Sequence, residues 1–219
     1  EWLNNQFSKA EINKLNAGKG ATGSLVGVYR MDEELLSKKP DLIFIDFSVN
    51  DALEQERDGV ISKEPYEGVV RKAVASGAAV VLFCICNENK KTLKDLHCEI
   101  GKHYGLPVIS MVDSIYPLIE SGRMKWTDYS NDSLHPINYG HKLLSLIIEY
   151  YLSCVMGEEV DSRDITMPTA LFSDVYQKAL MSSYCNIVPF DAGSFSIYHG
   201  FSQFDNGWIS SGSEPIRFE

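Results

Sequence analysis

Apolar and polar positions alternate along the first two-thirds of the chain in a pattern that predicts strands separated by helices. Residues 42–45 (LIFI) form a short apolar run after Pro40, which is typical of a strand buried on both faces of a parallel sheet. Residues 79–86 and 107–111 have the same character and predict two further strands. A fourth short strand is expected at residues 12–15.

Apolar residues at helical spacing predict helices over residues 1–9, 24–38, 66–75, 92–104, 112–120 and 137–155. Ser24 is expected to cap the second of these helices, and Gly105 to end the fourth. Because strands alternate with helices, the sequence predicts an α/β fold with a doubly wound parallel sheet. Ligands of such sheets bind at the carboxyl ends of the strands.

The pattern changes near Met156, so we predict that the α/β domain covers residues 1–156. Residues 157–168 are acidic and polar, which indicates a linker. Residues 169–219 are rich in serine, glycine and aromatics without helical period, and predict the start of a small β-rich, sandwich-like domain. About fifty residues are too few for a complete sandwich, so we expect this domain to be truncated.

Charge and composition narrow the classes of partner. A net charge of −10 and a pI near 5.0 disfavour a nucleic-acid or anionic-membrane surface, which needs clustered basic residues. The longest apolar run is shorter than a membrane span. We therefore predict a neutral or uncharged ligand, and the oligomeric state stays open.

The five cysteines favour buried thiols over a disulfide framework or a zinc site, because their spacing fits neither. Cys84 and Cys86 alternate along a predicted strand, so their side chains are expected to share one face of it.

Three polar segments carry the candidate chemistry. The glycine-rich loop of residues 16–24 can offer backbone N–H groups. Asn50 follows the strand of residues 42–45, in a polar loop, and can offer a side-chain amide. Asp132 stands three residues before His135, so its carboxylate can hold Nδ1–H of the imidazole and leave Nε2 as a base. Two donors facing a base are the groups that acyl transfer requires.

Structural roles compete with these assignments. His135 could simply cap the following helix, and Asn50 could be a turn residue. Asp51 is expected to be structural and to bond loop amides. The other histidines, His97, His103, His141 and His199, carry no signal beyond packing or exposure, and Trp126 is expected to pack.

Taken together, the three segments resemble blocks II, III and V of the SGNH (GDSL-like) hydrolases, which are esterases and lipases on a flavodoxin-like, three-layer α/β/α sheet. Ser48-Val49-Asn50-Asp51 matches the Gly-x-Asn-Asp pattern, and residues 132–136 match Asp-x-x-His-Pro. The resemblance implies that Asp132 and His135 are catalytic. It also implies that Asn50 and a backbone N–H of Gly20 or Ala21 bind the oxyanion.

The chain departs from the family at two places. Ser48 stands where the family has a glycine, and Ala21 may replace another. The Gly-Asp-Ser block that carries the nucleophile is absent, and Ser194, in the β-rich tail, is its nearest imitation. We therefore expect a chain that lacks the family's first strand, with its serine upstream of Glu1 and a gap in the sheet.

The resemblance implies an acyl or acetyl esterase, with carbohydrate deacetylation as a looser expectation, no metal or cofactor, and secretion. A non-catalytic carbohydrate-binding or scaffold module on the same fold is the alternative. A flavodoxin-like flavin or nucleotide binder is a weaker rival, because the glycine-rich loop fits neither a P-loop nor a dinucleotide fingerprint.

Overall fold

A computed structural model describes residues 2–59, 62–156, 166–183, 185, 187–199 and 206–218. Its central sheet has three parallel strands, β1 (Leu42–Ile45), β2 (Ala79–Cys84) and β3 (Val108–Ser110), in the order β1-β2-β3. Ile43 lies beside Val80, and Leu82 beside Val108. The α/β class and the parallel sheet predicted from the sequence are confirmed.

Nine helices accompany the sheet in the described residues: α1 (Trp2–Gln6), α2 (Ser24–Glu34), α3 (Ser48–Asp58), α4 (Lys63–Ala75), α5 (Lys94–Tyr104), α6 (Met111–Ser114), α7 (Tyr116–Glu120), α8 (Trp126–Tyr129) and α9 (Asn138–Val155). Single 3₁₀ turns lie at Leu36–Lys38 and Val175–Lys178. None of the helices in the described segments is long and apolar enough to cross a membrane.

The sheet is covered by helices on both faces, as the alternation of strands and helices predicts. Alternate residues of the strands point to opposite sides, so Ile43 and Leu82 join one apolar cluster and Val81 and Phe83 join another. The first cluster is completed by α2, α4 and α5, and the second by α6 to α9. Carboxyl ends of the strands are thereby left as the edge at which polar segments emerge.

Residues 12–15 are not a strand, contrary to the sequence prediction, because residues 11–19 form neither helix nor sheet. An isolated extended segment gains no ladder hydrogen bonds, and β1 is paired on one side only. Between this segment and β1 lies a groove of about 170 Å³, lined by Trp2, Leu3, Asn4, Ile12, Lys14, Phe44, Ser145, Ile148, Glu149 and Leu152. Phe44 keeps 41% of its surface exposed there.

The polar segment after β1 is also different from the prediction. Ser48 to Asp51 form the first turn of α3 and not a loop. Helix α8, which begins at Trp126, lies in a stretch for which the sequence pattern predicts no helix. Ser24 is the first residue of α2 and Gly23 is its cap, so the expected serine cap is wrong by one position.

Cys84 and Cys86 do not share a face. Strand β2 ends at Cys84, whose sulfur contacts His97 on the side of α5, whereas Cys86 belongs to the cluster beneath α9. The alternation stops because Ile85 lies beyond the end of the strand. Its N–H and its C=O both bond to the hydroxyl of Ser48 and not to a neighbouring strand. The five cysteines, two of them buried, are all unbridged thiols.

The part of the chain after α9 has two described portions. Residues 167–179 pack against α4, and the hairpin of β4 (Phe195–Tyr198) and β5 (Gly207–Ser210) forms a small antiparallel sheet. Most of the predicted linker, residues 157–165, lies outside the described residues. The proposed domain boundaries stay a prediction.

Candidate active site

The predicted acid–base pair is in contact. His135 Nδ1 lies 2.9 Å from Asp132 Oδ2, and the side chains are 78% and 56% exposed. Asp132 Oδ1 also accepts hydrogen bonds from the backbone N–H groups of Leu134 and His135. The bonds from His135 and these amides hold the pKa of Asp132 well below its usual range. An ionised carboxylate on Nδ1 fixes the imidazole with Nε2 toward solvent.

The loop that carries this pair is held by buried side chains. Ser130 is 1% exposed, and its hydroxyl donates to the backbone oxygen of His135 and accepts from the N–H of Asp132. Trp126, predicted to pack, is buried and donates Nε1–H to the backbone oxygen of Asp132 at 2.6 Å. These bonds fix the conformation of the loop, and the loop therefore holds the exposed imidazole in place.

The predicted donors to the oxyanion form a second group of polar residues, at the glycine-rich loop. Asn50 Nδ2 donates to the backbone oxygen of Thr22 at 3.0 Å, which leaves its second N–H for a ligand. Ala21 has a left-handed backbone with φ of 57°, and its N–H makes no hydrogen bond within the described residues. Gly20, the other candidate, is exposed and takes part in an interaction of its own.

Helix α3 holds this loop with two carboxylates: Asp51, which was expected to bond loop amides, and Glu54, which sequence reasoning missed. Ser24 N–H donates to Asp51 Oδ1 at 2.6 Å, and Gly23 N–H donates to Glu54 Oε1 at 2.7 Å. Burial raises the pKa of Glu54, and the bond from Gly23 opposes the rise. Asp51 and Glu54 are on one face of α3 because three residues make nearly one turn, which is the signal the sequence contained.

Ser48, which departs from the family pattern, connects the predicted donors to the loop of Asp132 and His135 through residues 85–93. Its hydroxyl bonds to Ile85 just beyond β2, and its backbone oxygen accepts from Leu93 N–H. From the same segment, Glu88 N–H donates to the backbone oxygen of Ser133, in the loop of Asp132 and His135. The donors and the base are therefore both attached to residues 85–93, because Ser48 bonds to Ile85 and Leu93 and the loop of His135 bonds to Glu88 between them. No bond joins the donors and the base directly among the described residues.

Asp46 follows β1 directly and lies beside Ser48, and the pKa of its carboxyl group is shifted. Its carboxylate accepts from the N–H and the hydroxyl of Ser48. Asp46 is exposed, yet desolvation by the surrounding protein raises its pKa to about 6, and the bonds from Ser48 oppose the rise.

No serine hydroxyl contacts the imidazole of His135 within the part of the chain that the structure describes. Ser194 lies before β4, where its Oγ accepts from Glu214 N–H. His141 is exposed on α9, and His97 is fully buried. Across the described segments, no group of three or more His, Cys, Asp or Glu side chains is arranged to hold a metal ion.

Comparisons with known proteins place this site in a family. The model of the GDSL-like lipase/acylhydrolase family matches residues 1–143. Two crystal structures of a two-domain esterase active on acetylated mannans, one with mannopentaose, are similar over 96% of this chain, with 32% identity and a TM-score of 0.82. The chain spans only 57% and 58% of the length of those two structures.

More distant structures share the fold. A mutant of an acetyl-xylooligosaccharide esterase from Geobacillus Stearmophilus has 16% identity and a TM-score of 0.58, over 74% of this chain and 80% of its own. A comparison with curated proteins gave no match. The family match covers more than half of the chain, and it includes the loops of Asn50 and His135. The chain belongs to the GDSL-like lipase/acylhydrolase family of ester hydrolases.

Proposed function

We propose that the protein is a serine esterase that removes acetyl or other acyl groups from a carbohydrate. The observation that carries this proposal is the Asp132–His135 pair, a bonded acid–base pair with an exposed imidazole in an acylhydrolase fold. A carbohydrate ester is supported by the similarity to the esterase active on acetylated mannans. The net charge of −10 also favours a neutral substrate.

The reaction proceeds in two steps. A serine Oγ attacks the ester carbonyl while His135 Nε2 takes its proton, and the oxyanion is bound by Asn50 Nδ2 and the N–H of Ala21 or Gly20. The intermediate expels the sugar alkoxide, which takes the proton from His135. Water then attacks the acyl-serine, giving its proton to Nε2, and the carboxylic acid leaves as the serine is restored.

We propose that the serine lies upstream of Glu1, on a strand that pairs with the open edge of β1. Three features of that edge support the proposal. β1 has no partner on this side among the described residues, Phe44 is exposed, and an apolar groove separates β1 from residues 12–14. In addition, Gly140 and Leu144 are the only buried residues of the apolar helix α9, which lines the groove.

The test is hydrolysis of p-nitrophenyl acetate and of an acetylated manno-oligosaccharide by the natural full-length protein and by residues 1–219 alone. We expect activity in the full-length protein only. His135→Ala should lower kcat by about 10⁴-fold, and Asn50→Ala by about 10²- to 10³-fold. His141→Ala is the matched control, because His141 is also an exposed histidine and lies on α9, the helix that follows the loop of His135.

Two results would contradict the proposed function. A full-length protein that keeps its hydrolysis after His135→Ala contradicts the mechanism, and activity in residues 1–219 alone contradicts the upstream serine. Among the described residues no serine contacts His135, which supports one alternative, a carbohydrate-binding or scaffold module without catalysis. That alternative predicts manno-oligosaccharide binding without hydrolysis in the full-length protein.

A further inference from the structure

A buried polar pair lies behind the oxyanion loop and has no part in the mechanism above. Asp51 and His97 are both 0% exposed, and Asp51 Oδ2 lies 3.7 Å from His97 Nε2. Neither atom has a hydrogen-bond partner among the described residues. Burying two polar atoms without a bond costs free energy, so this arrangement needs an explanation.

The surroundings of His97 determine which nitrogen carries its proton. Its ring stacks on Tyr66, with centroids 3.6 Å apart and planes at 6°, and Nδ1 faces the sulfur of Cys84 at 3.8 Å. Burial lowers the pKa of His97, which Asp51 opposes, and burial raises the pKa of the Cys84 thiol. A neutral imidazole that accepts from the thiol at Nδ1 carries its proton on Nε2, toward Asp51.

Asp51 connects this histidine to the loop of the proposed oxyanion donors. While Oδ2 faces His97, Oδ1 accepts from Ser24 N–H at 2.6 Å. Ser24 begins α2, directly after the loop that contains Ala21. The orientation of the Asp51 carboxylate therefore sets where the end of this loop lies.

We propose that His97 is a positioning residue for the ester hydrolysis proposed above, acting through Asp51 on the loop of residues 20–24. Its Nε2–H holds Asp51 Oδ2, so that Oδ1 keeps Ser24 and the N–H of Ala21 in place. The present separation of 3.7 Å is beyond hydrogen-bond distance. A shift of about 1 Å closes it.

Two substitutions separate the hydrogen bond from the packing. His97→Phe keeps a ring that can stack on Tyr66 but has no N–H, whereas His97→Gln supplies an N–H close to the position of Nε2. In the full-length protein, His97→Phe should lower kcat by about 10- to 100-fold with KM within about twofold, because a displaced oxyanion donor costs less than a lost one. His97→Gln should recover most of kcat.

The matched control is His103→Phe on the same helix. The imidazole of His103 contacts the backbone oxygen of Thr169 at 2.8 Å. It should leave kcat unchanged. A purely structural role for His97 predicts instead that His97→Phe and His97→Gln affect stability and leave kcat alike in both variants.

A second measurement does not depend on activity. Hydrogen exchange of the Ser24 amide should be at least about 10-fold faster in His97→Phe than in the wild type, and unchanged in His97→Gln and His103→Phe. If His97→Phe does not fold, His97→Leu replaces it, because it also removes the N–H and leaves Asp51 with its bond to Ser24 unchanged. Wild-type kcat and wild-type Ser24 exchange in these variants would overturn the inference.

The two proposals fail in different ways. An inactive full-length wild type overturns the proposed function and, with it, a role for His97 in hydrolysis. Ser24 exchange then still decides whether His97 holds the loop.

Discussion

Ala21 holds a left-handed backbone, with φ of 57°, in the loop from which we propose an oxyanion donor. For a residue with a Cβ this conformation costs about 1–2 kcal/mol, because Cβ approaches the following carbonyl oxygen. The departure from glycine noted in the sequence is therefore tolerated at a cost, and the N–H stays in place. Strain of this kind persists where surrounding contacts, here those of Thr22 and Gly23, fix the backbone.

Replacing Ala21 by glycine should relieve this strain. We expect Ala21→Gly to raise the free energy of unfolding by about 0.5–1 kcal/mol, since the relief exceeds the added entropy of the unfolded chain. Urea denaturation of the full-length protein measures the change. Ala17→Gly, in the same loop but without a positive φ, should lower stability by about 0.5–1 kcal/mol. Equal losses in both variants would show that Ala21 is not strained.

At the level of elements, the start of α3, residues 48–54, is the part that organises the proposed oxyanion side of the site. It follows β1 directly, and its side chains Asn50, Asp51 and Glu54 bond to three successive residues of the glycine-rich loop. Gly23 is required for this close approach, because a Cβ there would lie 2.3 Å from Glu54 Oε2 and 2.5 Å from Asp51 Oδ1. The contact of loop and helix is thus fixed by a residue without a side chain.

Gly23→Ala should consequently disrupt the contact. We expect a loss of about 2 kcal/mol or more in the free energy of unfolding, because hydrogen bonds to two partly or fully buried carboxylates are broken. Thermal or urea denaturation measures it. Gly20→Ala is the control, since no atom lies within 4 Å of its Cβ position and its φ is not positive. If Gly20→Ala costs as much stability, the contact with α3 is not the cause.

At the level of the whole molecule, a strap of residues 167–179 is bound to α4 by buried charges. Glu67 is fully buried, and its carboxylate accepts from the backbone N–H groups of Leu171, Phe172 and Ser173 and from the hydroxyl of Tyr104. Burial opposes ionisation of Glu67, but these bonds outweigh it and lower its pKa. Together with bonds from Arg71 and Lys72 of the same helix, this carboxylate anchors the strap on α4.

Neutralising that carboxylate should release the strap. Glu67→Gln leaves one acceptor and directs an NH₂ group at backbone donors, so we expect about 2–3 kcal/mol less stability at neutral pH. Because the folded pKa is lowered, the stabilisation is present above the ordinary value of 4.5 and disappears as pH falls through the folded pKa. The difference between variant and wild type should shrink correspondingly in acid.

Urea denaturation at several pH values and amide exchange of residues 171–173 measure this effect. Glu99→Gln, at an exposed position on α5, is the control and should change neither quantity. A stability difference that stays constant from neutral to acidic pH would contradict the ionised state of Glu67.

Local pattern alone determined the alternation of strands and helices, the bounds of β1 and the spacing that brings Asp132 against His135. Each of these depends on residues close in sequence, where periodicity and short loops restrict the geometry. The same holds for the family resemblance, because its motifs are contiguous. The roles of Asp132, His135, Asn50, Gly20 and Ala21 stay predictions.

Tertiary structure alone decided the rest, because the partners involved are far apart in the chain. Residues 12–15 have the composition of a strand, yet a strand exists only where a neighbouring strand accepts its hydrogen bonds. The separation of Cys84 from Cys86 depends on Ser48 of α3, whose hydroxyl bonds to Ile85 just beyond β2. Likewise, a buried carboxylate such as Asp51 must find its partners through packing, and no periodicity in the sequence names His97 as the residue it faces.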